Sequence, residues 1–333
     1  MRTWPAVSVI VVHHGPTSLL RSCLAAVRRL EYPKDRLELL VAEERSTRGP
    51  GRRIAVASNN YCRANNLAVR AARSSLIALL NNDCTPDPDW LGRLVSALEL
   101  DPRMAGCMGK IRFPDGRIHS AGHEDLGWGH VRDLGFGEKD SVRFDLPGAR
   151  DSLSHAACLY RRGAYLQTGG MDERFVMYYD DVDLGFRLRR LGWRLHYVPA
   201  AGAVHTRTPE SDRGWRDLFI HRNRLLFAAK AHPREIGAWL FHSRLASEPA
   251  WHPALYHVIP EIATRRNLPA LRRALARRGV PAPFLARILR RAEAAAGIRK
   301  PRLLVYDHAL QFVGGGQKYA ARLADAQIGR AHV

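Results

Sequence analysis

Two acidic clusters and one isolated imidazole carry the residue types in this chain that can do chemistry. Asp180-Asp181-Val182-Asp183 puts three carboxylates into four residues, directly after the aromatic stretch Phe175-Val176-Met177-Tyr178-Tyr179. A helix start favours acids through its dipole alone. Beside aromatic walls, three acids exceed what capping requires, and one of them can take a proton from a hydroxyl, its pKa set by its neighbours. Asn81-Asn82-Asp83 follows an apolar run at 76–80. An Asp in that position serves as a turn or helix cap, or offers one carboxylate to a hard divalent cation held mainly by substrate phosphates, since Mg2+ or Mn2+ in nucleotide sites commonly takes only one or two protein carboxylates. His205 follows the small-residue turn Pro199-Ala200-Ala201-Gly202-Ala203 and is either structural or a further ligand of the same cation.

Other patterns fail on spacing. His119 and His123 have helical i, i+4 spacing, but Gly122 lies between them and no His-Glu-x-x-His pattern is present, which argues against a zinc hydrolase. Gly135-Phe136-Gly137 lacks the third glycine of a dinucleotide fingerprint, and Gly314-Gly315-Gly316-Gln317-Lys318 lacks the Gly-Lys-Ser/Thr of a phosphate-binding loop.

The elements that must position these groups are legible in the hydrophobic pattern. Residues 7–12 are an apolar, β-branched run stopped by His13-His14-Gly15-Pro16 and read as a buried parallel strand. Leu19, Leu20, Cys23, Leu24, Val27 and Leu30 then share one helical face, and 37–41 is a second strand. This β-α-β opening predicts a doubly wound α/β fold, whose ligands bind beyond the carboxyl ends of the strands. A helix at 65–73 and a strand at 75–80 follow. Asp87-Pro88-Asp89 is expected to cap a helix bearing Trp90, Leu91, Leu94, Val95 and Leu98. Residues 106–150 show no clear period and read as strands and loops around an active site. A helical pattern returns at 180–192, a closing strand at 194–198, and 215–300 is mostly helical between prolines.

Composition bounds the class of molecule. The chain has 333 residues, 46% apolar and 8% aromatic, enough for a core and incompatible with disorder. No run reaches the roughly 18 apolar residues of a membrane span, and the first apolar segment lacks the length and cleavage site of an export signal, which points to the cytoplasm. Five scattered cysteines with no C-x-x-C pair read as buried reduced thiols. The formal net charge is +20, and residues 213–300 alone hold 18 Lys and Arg against five Asp and Glu. That face is either a solvated helical surface or lies near something anionic: a membrane leaflet, a lipid-linked diphosphate or a nucleic acid.

Taken together, residues 6–230 resemble family 2 glycosyltransferases of the GT-A fold, especially the rhamnosyltransferase-like enzymes of bacterial surface polysaccharide assembly. The resemblance rests on 7–15 as the first strand and its turn, Ala64-Asn65-Asn66-Leu67, Leu79-Leu80-Asn81-Asn82-Asp83-Cys84-Thr85 in the place of the metal-binding D-x-D, and Asp89-Trp90-Leu91. More specific is the ordered series Gly169-Gly170-Met171-Asp172-Glu173-Arg174-Phe175, Asp180-Asp181-Val182-Asp183-Leu184, Gly192-Trp193 and Val204-His205. It implies a Rossmann-like mixed sheet flanked by helices, followed by a helical extension, and an inverting sugar transfer from a nucleotide-diphosphate donor with Mg2+ or Mn2+. Carried over by position, Asp83 ligates the metal and His205 completes its shell. Glu43, Asn60, Asn65, Asn82 and Asp83 lie on the donor side; Asp181, next to Asp180, deprotonates the acceptor hydroxyl; Asp183 and Trp193 lie on the acceptor side. The implied partners are a nucleotide sugar and a glycan or lipid-linked acceptor, with peripheral contact at the inner face of the membrane and no nucleic acid.

The sequence departs from the family at Ala42-Glu43-Glu44-Arg45-Ser46-Thr47, where Val-Asp-Asn-Gly-Ser-Thr is usual. It departs again at Asn60-Tyr61 for Gly-Phe, where asparagine's access to positive φ would keep the turn. The expected organisation is a GT-A domain at 1–230, a basic helical extension at 231–300, the start of a second, GT-B-like domain at 301–327, and an adapter-derived tail at 328–333. Two competing readings are a nucleotidyltransferase, disfavoured by the lack of an early glycine-rich triphosphate loop, and a non-catalytic nucleic-acid binder, motivated by charge alone.

Overall fold

The computed structural model describes residues 3–44, 49–127, 129–206, 213–231, 251–264, 268–277 and 282–297. The chain divides into two compact units, Met1–Thr208 and Pro209–Val333, so the helix at 213–231 falls in the second unit, ahead of the boundary expected at 230.

In the first unit, β1 (Val7–His13), α1 (Thr17–Arg29) and β2 (Leu37–Glu43) form the expected opening. Val7, Val9, Ile10 and Val11 are fully buried, as a parallel strand covered on both faces requires. There follow β3 (Arg52–Ala55), α2 (Tyr61–Ala71), β4 (Leu76–Asn81), β5 (Cys84–Pro86), α3 (Trp90–Leu100) and β6 (Met104–Arg112). Then come β7 (Ile118–Ser120), β8 (His123–Asp125), β9 (Val131–Asp133), β10 (Gly148–Ala149), β11 (Ala157–Arg161), α4 (Arg162–Gln167), α5 (Asp180–Arg190) and β12 (Arg194–His205). The main sheet runs β10-β12-β6-β11-β4-β1-β2-β3, with β5 on β12 and β7 on β6, while β8 and β9 form a separate hairpin. β3, β2, β1 and β4 are parallel; β11 is antiparallel to both β4 and β6; β12 is parallel to β6. This is the mixed α/β sheet flanked by helices that the sequence predicts.

β6 begins just before the region without a period and is one of the strands expected there; buried on both faces, it does not alternate, and its Lys110 is accommodated by Asp140 and Asp145 at 2.8 and 2.6 Å. Two local expectations change. α2 starts four residues early, because Asn60 caps it by accepting from the Arg63 amide at 3.0 Å; φ at Asn60 is −88°, so no positive-φ turn is used. Asp89 precedes α3 but makes no capping bond, its carboxylate pairing with Arg93 at 2.6 Å. All five cysteines are free and buried, and burial pushes the Cys23 thiol up to about 12.

The second unit is helical over its described residues: α6 (Arg213–Ala231), α7 (Trp251–Ile262), α8 (Leu268–Arg277) and α9 (Ala282–Ala295). α7 packs on α6 and α9, and α9 on α8, burying Leu226, Phe227, Ile259, Leu271 and Ile288. None of the described helices is long and apolar enough to cross a membrane. The expected GT-B-like start and the tail at 328–333 lie outside the described residues.

Candidate active site

The carboxyl ends of β2, β1 and β4 form one polar row. Parallel register sets His13 beside Glu43, and Asn82, just past β4, donates to His13 Nδ1 at 3.0 Å and to the His14 carbonyl at 2.8 Å. Glu43 is buried and faces Arg53 at 3.4 Å. Burial lowers the pKa of His13, opposed by the Glu43 charge. Arg45 lies outside the described residues.

Asp83 and His205, 122 residues apart in sequence, meet: Asp83 Oδ1 and His205 Nε2 are 3.0 Å apart. The backbone makes the meeting. β5 starts one residue after Asp83 and pairs antiparallel with the end of β12, Cys84 opposite His205, and the Thr206 amide donates to the Asp83 carbonyl at 2.8 Å. On the far side of the ring, His205 Nδ1 lies 3.0 Å from His119 Nε2, with the two rings edge to face. One of these two nitrogens must donate to the other, a contact that orients the ring in the way a second shell orients a metal-binding histidine. Two ligands about 2.1 Å from an octahedral ion sit about 3.0 Å from each other, so this pair has the spacing of one coordination edge. The remaining positions would fall to water or a ligand, since no group of three His, Cys, Asp or Glu side chains suited to a metal occurs among the described residues.

The second acidic cluster stands at the N-terminus of α5. Val176, Tyr178 and Tyr179 enter it at φ of 67°, 66° and 61°, a left-handed conformation that side chains disfavour by about 1–2 kcal/mol each. Gly185 lets α5 approach Asp151-Ser152; a Cβ there would lie 2.4 Å from Ser152 Cβ. The three acids have different surroundings. Asp180 is buried against His155 Nδ1 at 2.8 Å; burial raises its pKa, the His155 hydrogen bond opposing and the Asp181 charge adding. Asp181 is part-exposed and lies 3.9 Å from His123 Nε2. Asp183 is fully buried and paired with Arg187 at 2.6 Å, away from solvent.

Tyr61 lies between the clusters: its hydroxyl donates to Asn81 Oδ1 at 3.0 Å and lies 3.4 Å from the backbone carbonyl of His155, whose ring holds Asp180. Trp193 donates to Gln167 at 2.8 Å and lines a cavity of about 530 Å3 that His123 also lines. Asn60 and Asn65 are engaged with protein, Asn60 with the Arg63 amide and the Glu173 carbonyl and Asn65 Nδ2 with the Tyr61 carbonyl.

Sequence reasoning missed His119, His123, His155 and Tyr61. The first two did stand out by spacing, but they sit on β7 and β8 across a turn, not on one helical face. His155 carried no motif, Tyr61 stood out only as a departure at Asn60-Tyr61, and only the fold brings both near the acids.

A sequence pattern described as "Glycosyltransferase like family 2" matches residues 5–228. The chain is 32% identical over 172 residues to the N-acetylglucosaminyl-diphospho-decaprenol L-rhamnosyltransferase of Mycobacterium tuberculosis, covering 47% of this chain and 55% of that one. Among solved structures, GalNAc-T7 with UDP, GalNAc and Mn2+ shares the fold at a TM-score of 0.58 and 14% identity, covering 73% of this chain and 51% of that one. A mannosyltransferase from Pyrobaculum calidifontis in complex with GDP-Man and Mn2+ shares it at 0.53 and 17% identity, covering 88% and 86%. The chain spans 18% to 55% of the length of the curated relatives it matches. With the pattern matched across more than half of the sequence, the chain belongs to glycosyltransferase family 2.

Proposed function

We propose that the protein transfers a sugar, with inversion, from a nucleoside-diphosphate donor to a hydroxyl of a glycan or lipid-linked acceptor in bacterial surface polysaccharide synthesis. The observation that carries this reading is the Asp83–His205 pair, 3.0 Å apart beyond β4, with Tyr61 contacting both Asn81 at that strand's end and His155, which holds Asp180 of α5. Asp83 and His205 would hold Mg2+ or Mn2+, which when bound supplies positive charge against the departing diphosphate. Solved neighbours of the same fold contain Mn2+ with UDP or GDP-Man.

The chain's own groups do the rest. Glu43, with Arg53 behind it, accepts hydrogen bonds from the ribose or base, and Asn82 braces the β1 turn beside it. Asp181 takes the acceptor proton: it is the part-exposed acid of the cluster, whereas Asp180 is sealed against His155 and Asp183 against Arg187. Removal of that proton lets the hydroxyl attack the anomeric carbon from the face opposite the leaving diphosphate. The basic residues of 213–300 suit peripheral contact with an anionic leaflet, each contributing about 1 kcal/mol, and flotation with anionic liposomes at low salt checks this. Release of nucleoside diphosphate from a panel of nucleotide sugars, with and without Mn2+, tests the main reading; failure to bind any donor in either condition overturns it.

A further inference from the structure

Four arginines line the cavity that Trp193 and His123 share, and three of them have carboxylate partners. Arg132 pairs with Glu124, Arg189 with Asp151 at 3.0 Å and Asp125 at 3.3 Å, and Arg194 with Asp101 at 3.2 Å. Arg150 is the exception. Its Nε donates to the Ala121 carbonyl at 2.6 Å and its Nη1 to the Ala149 carbonyl at 2.8 Å, and its guanidinium lies 4.6 Å from the centroid of the Tyr197 ring. Among the described residues, no carboxylate comes within 4.0 Å of it and Nη2 has no protein partner.

The position is built rather than incidental. Gly122, at φ +92°, makes room for the Arg150 stem: a Cβ there would lie 2.7 Å from Arg150 Cγ. The Arg150 amide is itself held by the Leu195 carbonyl at 2.9 Å. Burial lowers the guanidinium's pKa from its ordinary value, the Tyr197 and Glu124 charges opposing but not cancelling it, so the cation is desolvated beyond what its neighbours offset. A preorganised guanidinium fork is the side chain that best receives phosphate oxygens. Through His123, which reaches to 3.9 Å from Asp181, the cavity wall is continuous with the acid that faces the acceptor hydroxyl.

We propose that this cavity is an anion subsite for the acceptor, in which Arg150 receives a phosphate-ester group while the acceptor hydroxyl is presented to Asp181. The proposal rests on the reading of Asp181 as the proton acceptor. The same chemistry comes from two sources, a prenyl diphosphate or a phosphate carried on a glycan.

The test titrates full-length protein, in EDTA to remove metal, with inorganic pyrophosphate, geranyl diphosphate and glucose 1-phosphate. Saturable pyrophosphate binding is expected, weakened at least tenfold by Arg150→Gln and three- to fivefold by Arg150→Lys, which keeps the charge but not the fork. Asp83→Asn is expected to leave it unchanged, which separates this subsite from the donor side. Geranyl diphosphate binding more tightly than glucose 1-phosphate supports the subsite with a lipid source, and the reverse order supports it with a glycan source. Equal pyrophosphate affinity in wild type and both Arg150 variants, or none in wild type, overturns the proposal. Binding of nucleoside diphosphates with Mn2+ is measured in parallel: its absence would sink the donor reading without touching the Arg150 result, and its retention in Arg150→Lys shows that a lost anion site is not a lost fold.

Discussion

Asp83 and His205 reach each other across a hydrogen-bonded ladder, whereas Asp181 is aimed by a turn that three residues enter at positive φ. On the first side the backbone fixes the geometry: pair β5 with β12 and the two side chains face one another whatever surrounds them. On the second side the geometry depends on buried, titratable side chains and on stored strain. The comparison teaches that one half of the site should fail by losing ligands and the other by losing protonation control.

The sharpest way to break it is Asp181→Asn. Turnover is expected to fall about 10^2- to 10^4-fold while donor affinity stays within about twofold of wild type, read by nucleoside diphosphate release and by donor titration. A loss of donor affinity instead would move Asp181 to the other half. Next in size, Asp83→Asn and His205→Ala should weaken Mn2+-dependent donor binding by about 10- to 100-fold, with His119→Ala at the lower end of that range; without Mn2+ the variants should match wild type.

A third experiment uses pH. Burial, opposed by the His123 charge, holds Asp133 up to about 6. An acid raised on folding holds its proton more tightly when native, so its contribution is full below the unfolded pKa of about 4 and is lost as pH rises through about 6. Asp133→Asn removes that loss: urea unfolding should show no difference at pH 4 and a gain of about 1–2 kcal/mol at pH 8, the part-exposed position limiting the size. The smallest effect belongs to the turn itself. Tyr178→Asn should raise stability by about 0.5 kcal/mol, because asparagine tolerates left-handed backbone better than tyrosine, and should lower turnover more than it changes donor affinity.

The same division decided what could be read from the sequence. Strands at 7–12, 37–41 and 75–80 stood out because parallel strands buried on both faces are continuous apolar runs, and the polar end of the third marked Asn82 and Asp83, whereas Glu43 came only through the resemblance. β6 is equally buried, yet its glycines, methionines and Lys110 hid it, since the partners that neutralise the lysine, Asp140 and Asp145, are 30 and 35 residues away. His205 was found through the resemblance, but its contact with Asp83 depends on β5, a three-residue strand too short to show a period. Asp183 gave no sign of its pairing with Arg187, because a carboxylate in an acidic run looks the same whether it faces solvent or an arginine one turn along.

Tyr61 is the joint between the two halves. Burial first, and the Asp180 charge second, push its pKa well above the ordinary phenol range. The connection between the strand end and the helix start therefore stays a neutral donor at every pH the cell visits. The link between the strand end and the helix start is thus a fixed dipole, with no charge to gain or lose.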